Sequence, residues 1–206
     1  MVSRALLQAL ADARRQKFLG PGPLEAHIMN ARGFASLIAT DANTIVDIGS
    51  GGGVPALVLA ELLPHARFVL IERGARRANF LTNTVRSLDL SERVSVLAST
   101  AEDAAHEVAL AGTADTVTAR GFAAPAVTAE CACRLLRQGG SLIVSEPPHR
   151  TQGASRWPAA GLARTGLAPT QRARRAGNSY QVLTRSGDID PALPRRSAAI
   201  RSRPLF

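Results

Sequence analysis

The chain has 206 residues, of which 46% are hydrophobic, and its 25 Lys and Arg outnumber its 16 Asp and Glu to give a formal net charge of +9. This composition is typical of a water-soluble globular protein, and no apolar run approaches the ~18 residues of a membrane span. The basic residues are almost all arginine, which binds phosphate through paired hydrogen bonds, so the charge favours a nucleic-acid partner.

Cysteine and histidine usage points away from disulfide and metal chemistry. Cys131 and Cys133 stand two apart in a helical stretch and point to different faces, so we expect free thiols in a reducing compartment. His65, His106 and His149 have no metal-ligand spacing. We therefore predict a cytoplasmic protein without a metal. We also predict a monomer.

In chain order, two amphipathic helices precede a regular alternation of strands and helices. Helices are predicted over 3–18 and 24–39, then strands over 44–48, 67–71, 93–97, 115–119 and 141–145, separated by helices over 55–63, 75–88, 102–110 and 125–136. Residues 146–160 are predicted to be a loop, strands over 166–173 and 179–184 to close the sheet, and the basic tail from Pro194 to be ordered only if it docks.

This order predicts an α/β fold with a seven-stranded, mostly parallel, doubly wound sheet, because strands followed directly by helices favour parallel pairing. Of the two closing strands, one is expected to be antiparallel. Residues 1–40 are predicted to be a helical extension that packs on the core, and residues 41–206 to be the main domain.

The most informative motif follows the first strand. Asp47 precedes Gly49, Gly51 and Gly53 in a Gly-x-Gly-x-Gly pattern that opens a helix. A strand that ends in glycines and restarts as a helix lets a nucleotide-like ligand approach the backbone and the helix N-terminus. A nicotinamide dinucleotide site is disfavoured because Val54 stands where the third glycine of its fingerprint belongs.

Two further residues lie where ligands bind in such sheets, at the carboxyl ends of strands. Glu72 ends the second strand, where a carboxylate can accept hydrogen bonds from a ribose diol. Arg120 ends the fourth strand beside Gly121 and Phe122, so we expect it to face the pocket. The alternative for Arg120 is a structural ion pair with Glu102 or Glu72.

Together, these segments resemble a known family. The glycine motif with Glu72 looks like that of class I S-adenosylmethionine methyltransferases. The wider set of motifs, from about residue 24 to the C-terminus, is similar to the bacterial 16S rRNA guanine-N7 methyltransferases known as glucose-inhibited division protein B. These motifs are the helix from Leu24 to Asn30, Arg76-Arg77, Asn79-Phe80-Leu81, Ser99 to Glu102, Thr118 to Ala123, and Pro194-Arg195-Arg196.

The resemblance implies a class I fold, S-adenosylmethionine as cofactor and small-subunit ribosomal RNA as partner. It implies that Arg120 reaches the methyl-transfer site. His27, Arg195 and Arg196 are candidates for RNA contact, although His27, on a helix with an apolar face, could equally be a packing residue. The residues that it implies for cofactor binding are Gly49, Gly51, Gly53, Val54, Glu72, Ala101, Glu102 and Arg120.

The chain departs from the family pattern on the substrate side. The family commonly has arginine at the positions of Ala26 and Thr100, often aspartate at that of Asn30, and lysine near Glu146. A carboxylate where RNA should meet a cation is expected to repel phosphate. A methyltransferase acting on another RNA or a small molecule, and an RNA-binding protein without catalysis, therefore stay open as alternatives.

One more basic cluster lies near the last strands. Arg172, Arg174 and Arg175, together with Tyr180, could bind RNA phosphates or form a solvated face.

Overall fold

A computed structural model describes residues 2–147 and 155–206. The strands are β1 (Thr44–Ile48), β2 (Arg67–Ile71), β3 (Val94–Leu97), β4 (Ala114–Arg120), β5 (Leu136–Glu146), β6 (Leu167–Arg175) and β7 (Asn178–Arg185). The helices are α1 (Arg4–Arg15), α2 (Leu24–Ala35), α3 (Ala56–Leu62), α4 (Ala75–Ser87), α5 (Ala101–Ala104), α6 (Pro125–Cys133), α7 (Ala159–Leu162) and α8 (Ser197–Ser202). Within these ranges no helix is both long and apolar enough to cross a bilayer.

The strands form one mixed sheet in the order β3-β2-β1-β4-β5-β7-β6. β1 to β5 pair in parallel, whereas β7 is antiparallel to both β5 and β6. The predicted fold class is therefore confirmed, including the antiparallel closing strand. This topology brings the carboxyl ends of β1, β2 and β4 to one edge, where α/β sheets bind ligands.

Successive strand residues point to opposite faces and feed two apolar clusters, one on each side of the sheet. Ile45 packs with the face that carries α1 to α4, and its neighbour Val46 packs with the face that carries α5, α6 and α8. Leu10 of α1 and Phe34 of α2 are fully buried in the first cluster. The two N-terminal helices therefore share the core of the sheet, while the boundary between residues 1–40 and 41–206 stays a prediction.

Most predicted elements match, and the differences have local causes. The strand predicted over 141–145 begins at Leu136, because that residue already pairs with Ala114, and the helix predicted to reach 136 ends at Cys133. The helix predicted over 102–110 is a single turn, α5, followed by turns. In the loop predicted over 146–160, α7 begins at Ala159, and Pro148 and His149 lie outside the described residues.

The basic tail docks on the second face of the sheet. Ile200 of α8 is fully buried in the same cluster as Ala129 and Leu162. Arg195, just before α8, donates from its backbone N–H and its guanidinium to Glu130 of α6, at 2.7–2.9 Å. The tail is thus ordered by an apolar anchor and by a charge pair.

Candidate functional site

The turn after β1 is built from main-chain hydrogen bonds to the neighbouring strand. The N–H groups of Gly49 and Ser50 both donate to the carbonyl of Ile71, at 2.9 and 3.1 Å. Gly49 has a φ of +70°, and a Cβ there would lie 2.6 Å from the ring of Phe122. Only glycine fits this conformation and this close approach, which leaves the turn as bare backbone at the ligand edge.

Glu72 completes the turn from the end of β2. Its Oε2 accepts from the N–H of Gly51 at 2.9 Å, and its Oε1 accepts from the N–H of Gly74 at 2.8 Å. The residue is only 4% exposed. A carboxylate oxygen has two lone pairs, so each oxygen of Glu72 keeps an acceptor site for a ligand hydroxyl.

Asp47 lies under the turn and is fully buried. Its Oδ1 accepts from the hydroxyl of Thr118 at 2.6 Å, and its Oδ2 has no hydrogen-bond partner among the described residues. Burial raises the pKa of Asp47 to about 6, although the Thr118 hydrogen bond lowers it. Asp47 therefore supports the turn from below and does not line the ligand edge itself.

A cleft of about 750 Å³ opens at this edge of the sheet. One part of its wall comes from the turn and the end of β2, with Gly49, Gly51, Val54 and Glu72. Other parts come from Ala101 and Glu102, which follow β3, and from Arg120 at the end of β4. The cleft therefore brings together seven of the eight residues predicted to bind the cofactor, and its volume suits a small-molecule ligand.

Arg120 reaches the cleft from the end of β4 and contacts a buried histidine behind the wall. Its Nη2 lies 2.5 Å from Nδ1 of His27, and Nε2 of His27 lies 3.2 Å from the carbonyl oxygen of Gly20. Within the described ranges, Arg120 forms an ion pair with neither Glu72 nor Glu102.

The other predicted site residues lie away from the cleft wall. Gly53 faces the core, since a Cβ there would lie 2.4 Å from a methyl group of Leu57. His27 is 3% exposed. Arg195 is held by the fully buried Glu130, whereas Arg196 is exposed. The RNA contacts assigned to His27, Arg195 and Arg196 remain predictions.

Glu146, where repulsion of RNA phosphate is expected, is not an exposed unpaired anion. Glu146 is 8% exposed, because its Oε2 pairs with Arg156 at 2.7 Å and its Oε1 accepts from the indole N–H of Trp157 at 3.0 Å. Its charge is therefore balanced within the protein and does not face solvent as an isolated anion. The sequence shows the acid at the strand end but not its partners, which lie ten and eleven residues further on.

The other departures also have local roles, except at Ala26. Thr100 caps α5, since its hydroxyl accepts from the N–H of Asp103 at 3.1 Å. The amide of Asn30 donates to Ser145 and to Asn178. Ala26 is exposed on α2, and nothing in the structure explains its substitution.

Several residues of the cleft were not predicted from the sequence. The segment 18–20, which we call the strap, crosses the glycine turn, and a Cβ at Gly52 would lie 2.7 Å from the side chain of Leu19. Arg77 lines the cleft and lies over the Phe18 ring at 5.9 Å. Arg201 reaches the cleft from α8. The strap follows a helix end with no motif of its own, so only tertiary packing reveals it.

No group of His, Cys, Asp and Glu suited to a metal ion occurs in the part of the chain that the structure describes. Burial raises the pKa of Cys133 to about 12, so this thiol stays protonated and unreactive at neutral pH.

Comparison with known proteins identifies the relatives of the chain. The family model of rRNA small subunit methyltransferase G matches residues 22–150. The protein named ribosomal RNA small subunit methyltransferase G in Rubrobacter xylanophilus is 33% identical to this chain, and the match covers 80% of this chain and 66% of that protein. The protein of the same name in Salinispora arenicola is 38% identical, and the match covers 73% of this chain and 62% of that protein. The Leifsonia xyli protein of that name is 39% identical, and the match covers 69% of this chain and 68% of that protein. The chain thus spans about two thirds of these relatives' length.

Solved structures agree on the fold. A putative O-methyltransferase from Klebsiella pneumoniae superposes with a TM-score of 0.65 at 15% identity, covering 91% of this chain and 92% of that one. A SAM-dependent methyltransferase from Aquifex aeolicus superposes with a TM-score of 0.60 at 14% identity, covering 85% of this chain and 97% of that one. The architecture is that of class I methyltransferases.

Proposed function

Because the chain belongs to the rRNA small subunit methyltransferase G family, we propose that it transfers a methyl group from S-adenosylmethionine to N7 of a guanine in 16S ribosomal RNA. The observation that carries the proposal is the single cleft in which the glycine turn, Glu72 and Arg120 meet. Residues 41–206 would supply the catalytic core, and residues 1–40 would complete the cleft through the strap. A cytoplasmic monomer stays part of this proposal.

The residues present fit the cofactor. Each oxygen of Glu72 has a free lone pair for one of the two ribose hydroxyls. Ala101 and Glu102, which line the same cleft, would flank the adenine. When bound, S-adenosylmethionine supplies an electrophilic methyl group on a sulfonium.

The reaction asks little acid–base chemistry of the protein. Guanine N7 carries a lone pair and no proton, so no general base is needed when the N–C bond forms and the S–C bond breaks. Arg120 can donate to guanine O6, a geometry that arginine commonly adopts, and so orient the base in line with the methyl group. The strap and Phe122 would exclude water from this point.

The same edge of the sheet offers a surface for RNA. Ser179 of β7 pairs with both Glu146 and Arg174, which places the turn of the β6–β7 hairpin beside the cleft edge. Arg172, Arg174 and Arg175 are exposed there, and none of them forms an ion pair within the described ranges. Unpaired guanidinium groups beside a cleft support phosphate binding over a merely solvated face.

Calorimetric titration with S-adenosylmethionine tests the cofactor half of the proposal. Gly51 and Gly112 both have positive φ values, +56° and +70°, but only Gly51 lines the cleft. Gly51→Val therefore strains the backbone inside the site, and Gly112→Val is a control that imposes similar strain outside it.

We expect the parent and Gly112→Val to bind in the micromolar range, and Gly51→Val to bind at least about tenfold more weakly. No binding by the parent would overturn the cofactor assignment, and equal binding by both variants would overturn the assignment of the cofactor to this cleft. The latter result would also show that the glycine turn has no role in binding.

A further inference from the structure

His27 engages both of its ring nitrogens although it lies behind the cleft wall. An arginine guanidinium can only donate hydrogen bonds, so Nδ1 of His27 must accept from Arg120 across their 2.5 Å separation. The ring proton then lies on Nε2, which donates to the carbonyl of Gly20 at 3.2 Å. This pair of contacts requires the neutral ring with its proton on Nε2.

Charge and burial keep the ring neutral. Burial lowers the pKa of His27, and the positive charges of Arg120 and Arg14 lower it further, while the Gly20 hydrogen bond acts the other way. A protonated ring would have no acceptor for Arg120 and would place two cations side by side. The contact with Arg120 is thus compatible with one protonation state only.

The two partners of His27 belong to different segments of the cleft lining. Gly20 ends the strap that lies over the glycine turn, and Arg120 lies at the end of β4 on the substrate side. The strap packs closely, since a Cβ at Gly52 would lie 3.0 Å from the carbonyl oxygen of Phe18. A single buried side chain therefore joins the cover of the cofactor site to the arginine that would meet the base.

We propose that His27 is a positioning residue that holds the Arg120 guanidinium toward the guanine and fixes the strap over the cofactor, which couples the two binding events. This inference rests on the proposed function. It gives His27 a role different from the direct RNA contact that the sequence predicts, because a 3% exposed ring with both nitrogens engaged has no group left for RNA.

Two near-isosteric variants separate the two contacts. In His27→Asn, the amide lies near the former Nδ1 and can still accept from Arg120, but it does not reach Gly20. In His27→Gln, the amide lies near the former Nε2 and can still donate to Gly20, but it does not serve Arg120. Met29→Leu, at an exposed position of the same helix, is the control.

We expect His27→Gln to lower kcat for methyl transfer to 16S RNA by roughly a hundredfold, with S-adenosylmethionine affinity close to that of the parent, because Arg120 loses its alignment. We expect His27→Asn to retain kcat within a few-fold and to raise the KM for S-adenosylmethionine, because the strap is released. Circular dichroism and thermal unfolding establish that each variant is folded. Equal losses of kcat and affinity in both folded variants would overturn the proposal, since a purely structural histidine would act in that way.

A spectroscopic readout makes the test independent of turnover. Nitrogen-15 NMR of the histidine side chains, assigned with His27→Gln, should show His27 neutral with its proton on Nε2 at pH 6.5. A protonated ring, or a proton on Nδ1, would overturn the inference even in an active enzyme. If His27 shows the expected tautomer but the parent methylates no RNA, the proposed function fails and the coupling of Arg120 to the strap stands.

Discussion

Glu130 and Arg195 form the most deeply buried ion pair found in the described part of the chain. Glu130 is fully buried, and Arg195 meets both of its oxygens and adds a backbone N–H. The hydrogen bond to the Glu130 carboxylate raises the pKa of the Arg195 guanidinium above its ordinary value. The sequence groups Arg195 with Arg196 as a basic tail, yet one is an internal anchor of that tail and the other is exposed.

Removing each arginine should separate these roles. Arg195→Ala leaves a buried carboxylate without its partner and should cost about 3–5 kcal/mol of unfolding free energy, whereas exposed Arg196→Ala should change it by less than about 0.5 kcal/mol. Urea denaturation followed by circular dichroism measures both. Equal, small effects would show that Arg195 is free in solution and available to RNA.

The buried Asp47 should make the unfolding free energy depend on pH in the direction opposite to that of a salt-bridged acid. Burial raises its folded pKa from 3.8 to about 6, so ionised Asp47 weakens the folded state above pH 6. This cost, on the order of 3 kcal/mol, disappears as the pH falls from 6 toward 4, where the folded and unfolded chains both bind the proton.

Asp47→Asn should therefore be more stable than the parent at pH 8, and the difference should shrink as the pH falls toward 4. The amide oxygen can still accept from Thr118. Unfolding free energies across this pH range are the measurement. A difference that stays constant with pH, or a less stable variant at pH 8, contradicts this assignment.

The N-terminal helices behave in the structure as part of the sheet's core. Leu10 of α1 is fully buried, while Leu7 on the same helix is 37% exposed. Leu10→Ala should cost about 2–5 kcal/mol in a single cooperative transition, and Leu7→Ala less than about 0.5 kcal/mol. Thermal unfolding of the two variants compares them. A separate early transition in the parent would instead show that residues 1–40 are an independent extension.

Elements with a strong periodic signal are predicted well from the sequence. β1 and β2 have the predicted bounds, and the glycine turn and Glu72 meet as their spacing indicates. The start of β5 is missed because Leu136 continues an apolar helical pattern and only its pairing with Ala114 decides its conformation. Likewise, the strap, Arg201 and the partners of Glu146 depend on contacts between distant segments, which periodicity does not encode.

The whole molecule has a formal net charge of +9. Part of this charge comes from exposed arginines near the cleft, at the edge of the sheet where the parallel strands end. Arg172 and Arg174 lie on the β6–β7 hairpin at this edge, whereas Arg67 begins β2 at the opposite edge and Arg86 lies near the end of α4. These two pairs allow a matched comparison of equal charge loss at the two edges.

Arg172→Gln/Arg174→Gln should weaken RNA binding and lower the slope of log affinity against log salt by roughly 1.5, as expected for two lost phosphate contacts. Arg67→Gln/Arg86→Gln should change the slope much less, and neither pair should alter S-adenosylmethionine affinity. Filter binding at several salt concentrations gives the slopes. Equal slopes for the two double variants would place the RNA surface elsewhere.

The most direct measurement is methyl transfer by the purified protein from labelled S-adenosylmethionine to 16S RNA, presented both naked and in small-subunit particles. We expect label on one guanine in at least one of these substrates. The RNA chain should be cleavable at this base after borohydride reduction, as is characteristic of 7-methylguanosine. The Arg120→Ala variant should transfer roughly a hundredfold less label. Arg67→Ala, at the opposite edge, should match the parent. If the parent binds S-adenosylmethionine but labels neither substrate, or labels an atom other than N7, the proposed reaction is wrong.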